Sequence, residues 1–511
     1  MRLNRTANTL RNSFWGLTNN VVGLILPFII RTIFLHVLSI EYLGLSSLFS
    51  SILQMLNLAE LGFSSAVVYS MYKPIAENDT DKVCALLALY RTVYRVIGLF
   101  IFCVGLILMP FLPLLIRGSV PADMNLYLLF LISLVDTSIS YFAFGYKESL
   151  LQAHQRTDLT SRVLIVIRCI KYTVQIILLL VFKSYYIYIL VTPVATLATN
   201  IVNARITSKH FPQYTCRGKL EKREVSAITK QVGGLMISKI CGVTRNGLDS
   251  IIVSAFIGLH AVAVYGNYYY LIISIHTMLG VITTSMRAGI GNSIACESVE
   301  KNYNDMRKFT FLYAWVSGVC TCCFVALYQP FMQLWAGSEN MFPDWLMLLF
   351  CLYFYIMTVT DIRNVYIDAT GIWWQNRSRP IIETIVNFVL NLTLGYFFGV
   401  TGIVLATIIS MTLINIGYGS KVLFQEYFKG YSIAKYFKNH VQYFIVTVIA
   451  AAATWFVCSM VPFAGYSGLV VKFIVCMVVP NAVFLLLYRF DNNYCYVKTT
   501  VDSVVGHILK K

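Results

Sequence analysis

The sequence predicts an all-α polytopic membrane protein with about fourteen transmembrane helices. Of its 511 residues, 58% are hydrophobic and only 12% are charged, whereas soluble proteins carry roughly a quarter charged residues. The mean hydropathy is +0.70. Apolar segments of about 20 residues recur along the whole chain, and each is long enough to cross a bilayer. Because every backbone polar group must be paired inside the lipid, these segments are predicted to be helices.

Fourteen such segments follow one another, separated by short polar connections. The predicted spans are residues 14–37, 44–70, 92–115, 124–146, 162–182, 185–205, 233–257, 265–289, 309–331, 345–366, 381–398, 402–422, 440–461 and 467–488. The first twelve are expected to form two lobes of six helices, and the last two are an addition at the carboxyl end.

Basic residues mark alternate connections, which is the pattern of loops that remain in the cytoplasm. One side of the membrane receives the basic residues of the amino-terminal segment, of the connections around 73–82, 147–162, 209–223, 301–308, 377–379 and 429–438, and of the tail. The other side receives little beyond Arg117 and Lys183. This alternation predicts an even number of spans with both termini in the cytoplasm.

The longest hydrophilic stretch, 207–231, divides the chain into two related halves. We predict an amino-terminal lobe at 1–206, a cytoplasmic linker at 207–232, a second lobe at 233–424, and two extra helices with a cytoplasmic tail at 425–511. Leu43-Gly44 opens span two and Tyr265-Gly266 opens span eight. An even number of spans in each half gives both halves the same orientation, so they are expected to form a parallel pseudo-repeat.

Motifs for enzymatic chemistry are absent from the sequence. There is no phosphate-binding P-loop, HExxH motif, nucleophile elbow or pair of CxxC motifs, and the thirteen cysteines have no metal-ligand spacing. The net charge of +17 is explained by the cytoplasmic loops and does not indicate nucleic acid. We therefore expect a transporter rather than an enzyme, with no cofactor and no metal.

Arg31 is the sharpest candidate among the basic residues inside the spans, since a charge in hydrocarbon costs a few kcal/mol unless it faces protein or water. It is predicted to line a cavity. Two alternatives stay open: the side chain extends to the outer interface, or it pairs with Glu60.

Span seven carries two further basic candidates, Lys239 and Arg245. Arg245 and Asp249 are four residues apart, so they also fit a simple ion pair on one helix face. Arg287, near the inner end of span eight, fits a ligand or an ordinary positive anchor equally well.

Asp136 is the acidic residue predicted to lie deepest, near the middle of span four. It fits a cation or proton site, and it fits equally well a charge partner for a basic residue of a neighbouring span. The basic residues of span five, Arg168 and Lys171, are interpreted as anchors at the inner side of the membrane.

Several segments resemble the oligosaccharide-lipid flippases of the polysaccharide-transport family, within the multidrug/oligosaccharidyl-lipid/polysaccharide exporter superfamily. In the first half these are LHVLSIEYLGL at 35–45 after Arg31, LNLAELGF at 56–63, YSMYKPIAE at 69–77 and YRTVY at 90–94. In the second half they are GLDSIIV at 247–253, FIG at 256–258 and VYG at 264–266.

The resemblance implies a fold like that of the MATE transporters, with two six-helix lobes around a central cavity that opens to either side in turn. It implies an undecaprenyl-diphosphate-linked oligosaccharide as substrate and the bacterial cytoplasmic membrane as location. Arg31, Arg245 and Arg287 match basic positions on cavity-lining spans of the family. Fourteen-span relatives form a lipid groove with their extra helices, which Lys472 in the last span would line here.

The expected partners are the lipid-linked oligosaccharide and membrane lipids, with a glycan polymerase and chain-length proteins of the same pathway as further candidates. We expect a monomer. Two alternative functions stay open: a cation-coupled multidrug antiporter of the same fold, which needs an acidic cavity, and a membrane glycan polymerase or ligase, which needs a large outer loop.

Overall fold

The computed structural model describes residues 5–57, 63–118, 120, 123–489, 491 and 493–495. Within these ranges, the side chains of residues 5–10, 65–66, 227–239, 246 and 288 are not described. The described chain is helical between short connections and contains no β-strand, which confirms the predicted fold class. The chain divides into two compact units, residues 1–263 and 264–511.

The first unit contains nine helices in the part of the chain that is described. They are α1 (Arg5–Val37), α2 (Ile40–Leu56), α3 (Phe63–Ala76), α4 (Thr80–Leu108), α5 (Leu126–Phe142), α6 (Glu148–Ala153), α7 (Thr157–Phe182), α8 (Tyr185–His210) and α9 (Lys222–Phe256). A 3₁₀ segment, Met109–Leu115, prolongs α4. The start of α10 also belongs to this unit.

The second unit is formed by the remaining helices. They are α10 (Leu259–Cys296), α11 (Val299–Ala336), α12 (Asp344–Val359), α13 (Asp361–Thr370), α14 (Ser378–Phe398), α15 (Val400–Ser410), α16 (Gly419–Glu426), α17 (Ile433–Ser459) and α18 (Gly465–Tyr488). A π-helical segment, Met411–Tyr418, joins α15 to α16.

Eleven helical runs among the described residues are long and apolar enough to cross a membrane, and a twelfth is added if the bent pair 126–142 and 145–153 is one span. These twelve correspond to twelve of the fourteen predicted spans. Of the other two, 44–70 runs over α2, a shorter apolar helix, and over residues 58–62, which lie outside the description. The other, 233–257, lies in α9. The count of fourteen is therefore approximate, and the protein is a multi-pass membrane protein.

Helix starts follow from local sequence. Asp79 accepts a hydrogen bond from the Lys82 backbone N–H at 2.9 Å before α4, and Asn125 does the same for Leu128 at 3.1 Å before α5. Ser298 caps α11. Such oxygen acceptors satisfy backbone donors that the first turn of a helix leaves without a partner.

In the first unit, α4 and α9 are linked near both of their ends, the start of one to the start of the other. Lys82 and Glu224 form an ion pair at 2.6 Å between the starts of α4 and α9, and the ammonium holds the pKa of Glu224 below its usual value. At the far ends, the Arg117 backbone N–H donates to the Ser254 carbonyl at 3.0 Å. The topology predicted from the charges gives these two helices the same direction, although which side is cytoplasmic stays a prediction.

The compact units differ from the predicted lobes, because the boundary falls at 263/264 and not at 233. The reason is packing: α9 lies against α2 and α3 of the first unit. The lobes at 1–206 and 233–424 were inferred from a sequence repeat rather than from compactness, so they stay a prediction.

Large apolar side chains cover the outer faces of several helices. Tyr396, Phe397 and Phe398 at the end of α14 are 60–74% exposed, and Phe473 on α18 and Trp455 on α17 are more than half exposed. Exposed apolar surface of this extent marks contact with a membrane or a partner, and for spanning helices it is the surface that faces lipid.

Candidate functional site

A polar cavity of about 420 Å³ lies inside the first unit, between α2, α5 and α8. A volume of this size falls in the range of small-molecule binding sites. Its walls carry hydroxyl, amide and carboxylate groups, which is unusual between apolar helices. The polar lining residues are Ser46, Ser50, Ser51, Gln54, Asn57, Ser133, Asp136, Thr137, Tyr185, Tyr188 and Thr192.

Helix α2 supplies one wall through regular spacing. Ser46, Ser50 and Gln54 are four residues apart, and Asn57 follows three residues later. Residues at these intervals share one face of a helix. The Asn57 side-chain oxygen accepts a hydrogen bond from the Tyr141 hydroxyl at 3.2 Å, which fixes the end of this polar stripe against α5.

Asp136 lines the cavity on α5 and is half-buried. Its Oδ1 accepts a hydrogen bond from the Thr196 hydroxyl of α8 at 2.7 Å. The Lys171 ammonium of α7 is close enough to interact with it electrostatically. The structure thus brings a hydroxyl and a cation from two other helices to one carboxylate.

Gln175 fixes α7 to α8 beside this cavity. The Gln175 side chain is 1% exposed, and its amide nitrogen donates to the Tyr188 carbonyl at 3.1 Å and to the Thr192 hydroxyl at 3.2 Å. Pro193, one residue further along α8, lacks the N–H that would continue the helical hydrogen bonds. The side-chain contacts therefore hold α8 where its own backbone is weakened.

Arg31 interacts with one of the side chains that line the cavity. Its half-buried guanidinium on α1 interacts electrostatically with Tyr188, which is a lining residue. The Tyr188 ring packs between Tyr185, at 5.7 Å, and Phe34, at 5.5 Å. Of the predicted site residues, Asp136 therefore lines the cavity, whereas Arg31 is connected to it through its electrostatic interaction with Tyr188.

Two of the candidates on α9, Arg245 and Asp249, are not among the described residues that line this cavity. Asp249 is 3% exposed and Arg245 is half-buried. Between them, Gly247 brings α9 close to α2, where an added Cβ would meet Met55 at 3.2 Å. The Lys239 side chain and the whole of Glu60 lie outside the described residues, so the predicted roles of both stay predictions.

Arg287 lies in the second unit, on α10. It forms an ion pair with Asp368 of α13 at 3.3 Å, and both side chains are about half exposed. The pair is compatible with either predicted role, ligand or anchor.

A buried ionic network in the second unit was not predicted. Arg363 of α13 is 2% exposed and donates to the carbonyl and side-chain oxygens of Asn415. The Asn415 amide donates to both oxygens of Glu383 at 3.1 Å, and Arg379 binds Glu383 at 3.0 Å. Asn415 belongs to the π-helical segment, whose altered backbone bonding is frequent at functional sites.

A larger cavity of about 680 Å³ lies in the second unit between α11, α12, α17 and α18. Its lining is mostly apolar, with Val325, Leu348 and Trp455 among the residues, and Lys472 also lines it. The structure therefore provides the two extra helices with a mainly apolar recess whose lining includes one cation, Lys472, and one carboxylate, Asp344.

Three comparisons place the chain among known proteins. A family model described as "Polysaccharide biosynthesis protein" matches residues 9–287, just over half of the chain. No curated protein matches it in sequence. Several solved structures have a similar fold.

Among these structures is the lipid II flippase MurJ in an inward closed conformation, with a TM-score of 0.66 and 14% identity over 94% of this chain and 98% of that one. A multidrug resistance MATE family transporter in an inward-facing conformation has a TM-score of 0.60 and 12% identity over 79% and 94%. A transporter of the same superfamily from Pyrococcus furiosus has a TM-score of 0.56 and 13% identity over 82% and 96%. At these identities the likeness shows the fold.

Proposed function

The chain belongs to the polysaccharide biosynthesis protein family, and from this premise we propose that it is a flippase for undecaprenyl-diphosphate-linked oligosaccharides in the bacterial cytoplasmic membrane. It moves the lipid-linked unit from the cytoplasmic to the outer leaflet by alternating access and forms no covalent intermediate. The fold shared with a lipid II flippase and with MATE transporters supports this proposal.

The observation that carries the proposal is the polar cavity, one of whose lining residues, Tyr188, interacts electrostatically with Arg31. A sugar headgroup needs many hydrogen-bonding partners within the membrane, and the hydroxyl and amide groups of α2, α5 and α8 provide them. Arg31 supplies a fixed positive charge whose planar donors match a phosphate. In this proposal Arg31 binds the diphosphate and the cavity receives adjoining sugars.

The polyprenyl chain needs an apolar surface. The recess between α11, α12, α17 and α18 offers about 680 Å³ with a mainly apolar lining. We assign it to part of the lipid, and Lys472 to an anionic group near the end of that apolar stretch.

The proposal is tested in proteoliposomes that contain a lipid-linked oligosaccharide with a fluorophore on its sugar. Dithionite quenches only the outer leaflet, so protein-free vesicles lose about half of the signal. With the purified protein, quenching is expected to proceed towards completion because inner-leaflet substrate becomes accessible. A rate equal to that of protein-free vesicles would contradict the proposal.

One observation favours a second candidate, the cation-coupled multidrug antiporter. Asp136 is the acidic side chain among the described lining residues, and an antiporter needs an acidic site for its cation. The electrostatic interaction of Lys171 with Asp136 weakens this interpretation, because a positive charge that acts on the carboxylate disfavours the binding of a further cation. Unchanged drug susceptibility together with accumulated lipid-linked oligosaccharide in a strain lacking the gene would exclude the antiporter.

A further inference from the structure

In the second unit, polar side chains from two helices contact the same carboxylate oxygen on a third helix. His276 of α10 contacts Asp361 Oδ2 through Nε2 at 3.0 Å, and the Tyr313 hydroxyl of α11 donates to the same oxygen at 2.6 Å. Tyr313 is 4% exposed, whereas the His276 and Asp361 side chains keep 23% and 17% of their surface accessible. The three side chains are therefore joined by hydrogen bonds, and those of His276 and Asp361 remain partly accessible.

The cluster lies far from the ends of the three candidate spans that carry it. His276 is seventeen residues from the start of α10, and Tyr313 is fourteen from the start of α11. At 1.5 Å per residue these distances are roughly 25 Å and 21 Å. Asp361 is nine residues from the nearer end of the candidate span Asp344–Thr370, about 14 Å. An ionised carboxylate this far inside a membrane span costs free energy, so such residues usually have a partner or a function.

Asp361 also lies at an interruption between two helices. α12 ends at Val359 and α13 begins at Asp361, although the two form one candidate span, Asp344–Thr370. The buried Thr360 between them donates its hydroxyl to the Met357 carbonyl at 3.0 Å. A helix interruption lets a membrane span change its bend, so the charge state of Asp361 can act on the geometry of this span.

Other ionisable groups surround the cluster. Arg363, two residues along α13, interacts electrostatically with Asp361, and Cys320 of α11 interacts with Tyr313. Further groups act on Arg363 and belong to α14 and α17: Arg379, Glu383, Tyr436 and His440. Arg363 is itself held by Asn415, so its positive charge is shared between the ionic network and Asp361.

The donor pattern favours a proton over a metal ion. An ionised carboxylate only accepts hydrogen bonds, so His276 Nε2 carries a hydrogen towards Asp361, and Tyr313 donates as well. A metal ion needs several lone pairs aimed at one point. The Asp361 oxygen instead receives two donors, and no group of three His, Cys, Asp or Glu suited to a metal occurs among the described residues.

We propose that His276, Asp361 and Tyr313 form a proton-binding site in the second unit. In the empty state the imidazole is neutral and Asp361 is ionised, so the pair carries one negative charge. A proton taken from water binds His276 Nδ1, gives an imidazolium–carboxylate pair and brings the net charge to zero. Release of the same proton to water restores the first state, and no bond other than N–H forms or breaks.

The site would couple proton movement to substrate movement, and this part rests on the proposed flippase function. Neutralisation lowers the cost of holding the cluster in the membrane. Binding and release on opposite sides then bias the direction of the cycle. In this proposal the proton is the ligand, and its binding changes the geometry at the interruption between α12 and α13.

The site itself is tested without any transport assay. Histidine nitrogen NMR of the protein in nanodiscs, with the His276 signal identified from its loss in His276→Gln, is expected to show His276 gaining a proton between pH 8 and pH 5. Asp361→Asn should change this titration, whereas the exposed carboxylate variant Glu297→Gln should not. A His276 signal with no change of protonation in that interval would overturn the proposal.

Coupling is tested in the same proteoliposomes with a pH gradient. One proton per cycle changes the substrate distribution between leaflets by about tenfold for each unit of pH difference. The wild type and the control His260→Gln, an exposed residue of α10, should show this shift. His276→Gln and Asp361→Asn should lose it while still equilibrating substrate, and Asp361→Glu should retain it. A full shift in His276→Gln would overturn the coupling.

The two tests fail in different ways. Proton uptake at His276 without substrate flipping by any variant would refute the flippase proposal and leave the proton site standing. Flipping that is unaffected by the gradient, with no proton uptake at His276, would refute the site and leave the flippase standing.

Discussion

At the scale of single residues, polar groups inside the spans separate the functional hypotheses most directly. Arg31 interacts electrostatically with Tyr188, which lines the polar cavity. In the alternative interpretation, the Arg31 side chain extends to the outer interface and away from Tyr188. The neighbourhood of Tyr188 therefore favours the cavity role, and substitution can test it.

We predict that Arg31→Ala loses most export and that Arg31→Lys keeps part of it. A hydrogen bond to a charged group contributes about 1.5–3 kcal/mol, which corresponds to roughly a ten- to hundredfold loss, and lysine keeps the charge without the planar fork. The measurement is restoration of surface glycan in a strain lacking the gene, at equal protein abundance. The control Arg377→Ala removes a half-buried arginine stacked on Trp374. Wild-type export by Arg31→Ala would remove Arg31 from the site.

Asp136 offers a second test, because its two predicted roles give opposite results. We predict that Asp136→Asn impairs export since it leaves Lys171 in the membrane without its carboxylate. Asp136→Asn combined with Lys171→Gln should restore export, because the double variant leaves no uncompensated charge. The measurement is initial flipping rate in proteoliposomes. A double variant as impaired as the single one would instead assign Asp136 to cation binding.

The residue scale also shows the limit of sequence reasoning. Asp136 was identified by its depth in an apolar segment, but its neighbours Thr196 and Lys171 lie on other helices, and no local spacing relates them to it. The sequence favours an anchor at the inner side of the membrane for Lys171, and the structure adds an electrostatic interaction with Asp136 that the spacing does not indicate. The stripe Ser46, Ser50, Gln54 was visible as a polar helix face and could have been found.

At the scale of elements, hydropathy predicts most spans because lipid exposure leaves a continuous apolar signal. Interruptions within spans leave little signal. The break between α12 and α13 and the π-helical segment Met411–Tyr418 depend on side-chain contacts such as that between Arg363 and Asn415. Those contacts join residues 52 positions apart, so they appear only once the helices are packed.

Close helix contact at Gly44 gives a prediction for this scale. A Cβ at Gly44 would lie 2.1 Å from the Leu259 carbonyl oxygen, so Gly44→Ala must separate α2 from the start of α10. Overpacking costs typically 1–3 kcal/mol, and we expect a lower midpoint of thermal unfolding for the purified protein. Gly280→Ala, on α10 with nothing within 4 Å of the added Cβ, is the matched control. Equal midpoints for Gly44→Ala and wild type would refute the contact.

At the scale of the whole molecule, the charge pattern of the loops predicts which side of the membrane each connection occupies. The two contacts that link α4 and the segment after it to α9 are compatible with that pattern, because each contact joins matching ends of the two helices. Contacts between helices determine only the direction of one helix relative to the other. Sidedness is decided by the basic residues that stay in the cytoplasm, so it needs its own experiment.

We predict that the linker containing Lys219 and the tail containing Lys510 are cytoplasmic, and that the connection at Lys183 is outside. Epitope tags inserted after each of these residues report their location in intact and permeabilised cells. Tags at Lys219 and Lys510 should bind antibody only after permeabilisation, whereas the tag at Lys183 should bind in both states. Surface glycan restored by each tagged protein confirms that the insertion left it functional. Antibody access to Lys219 from outside intact cells would reverse the topology, and with it the direction assigned to substrate movement.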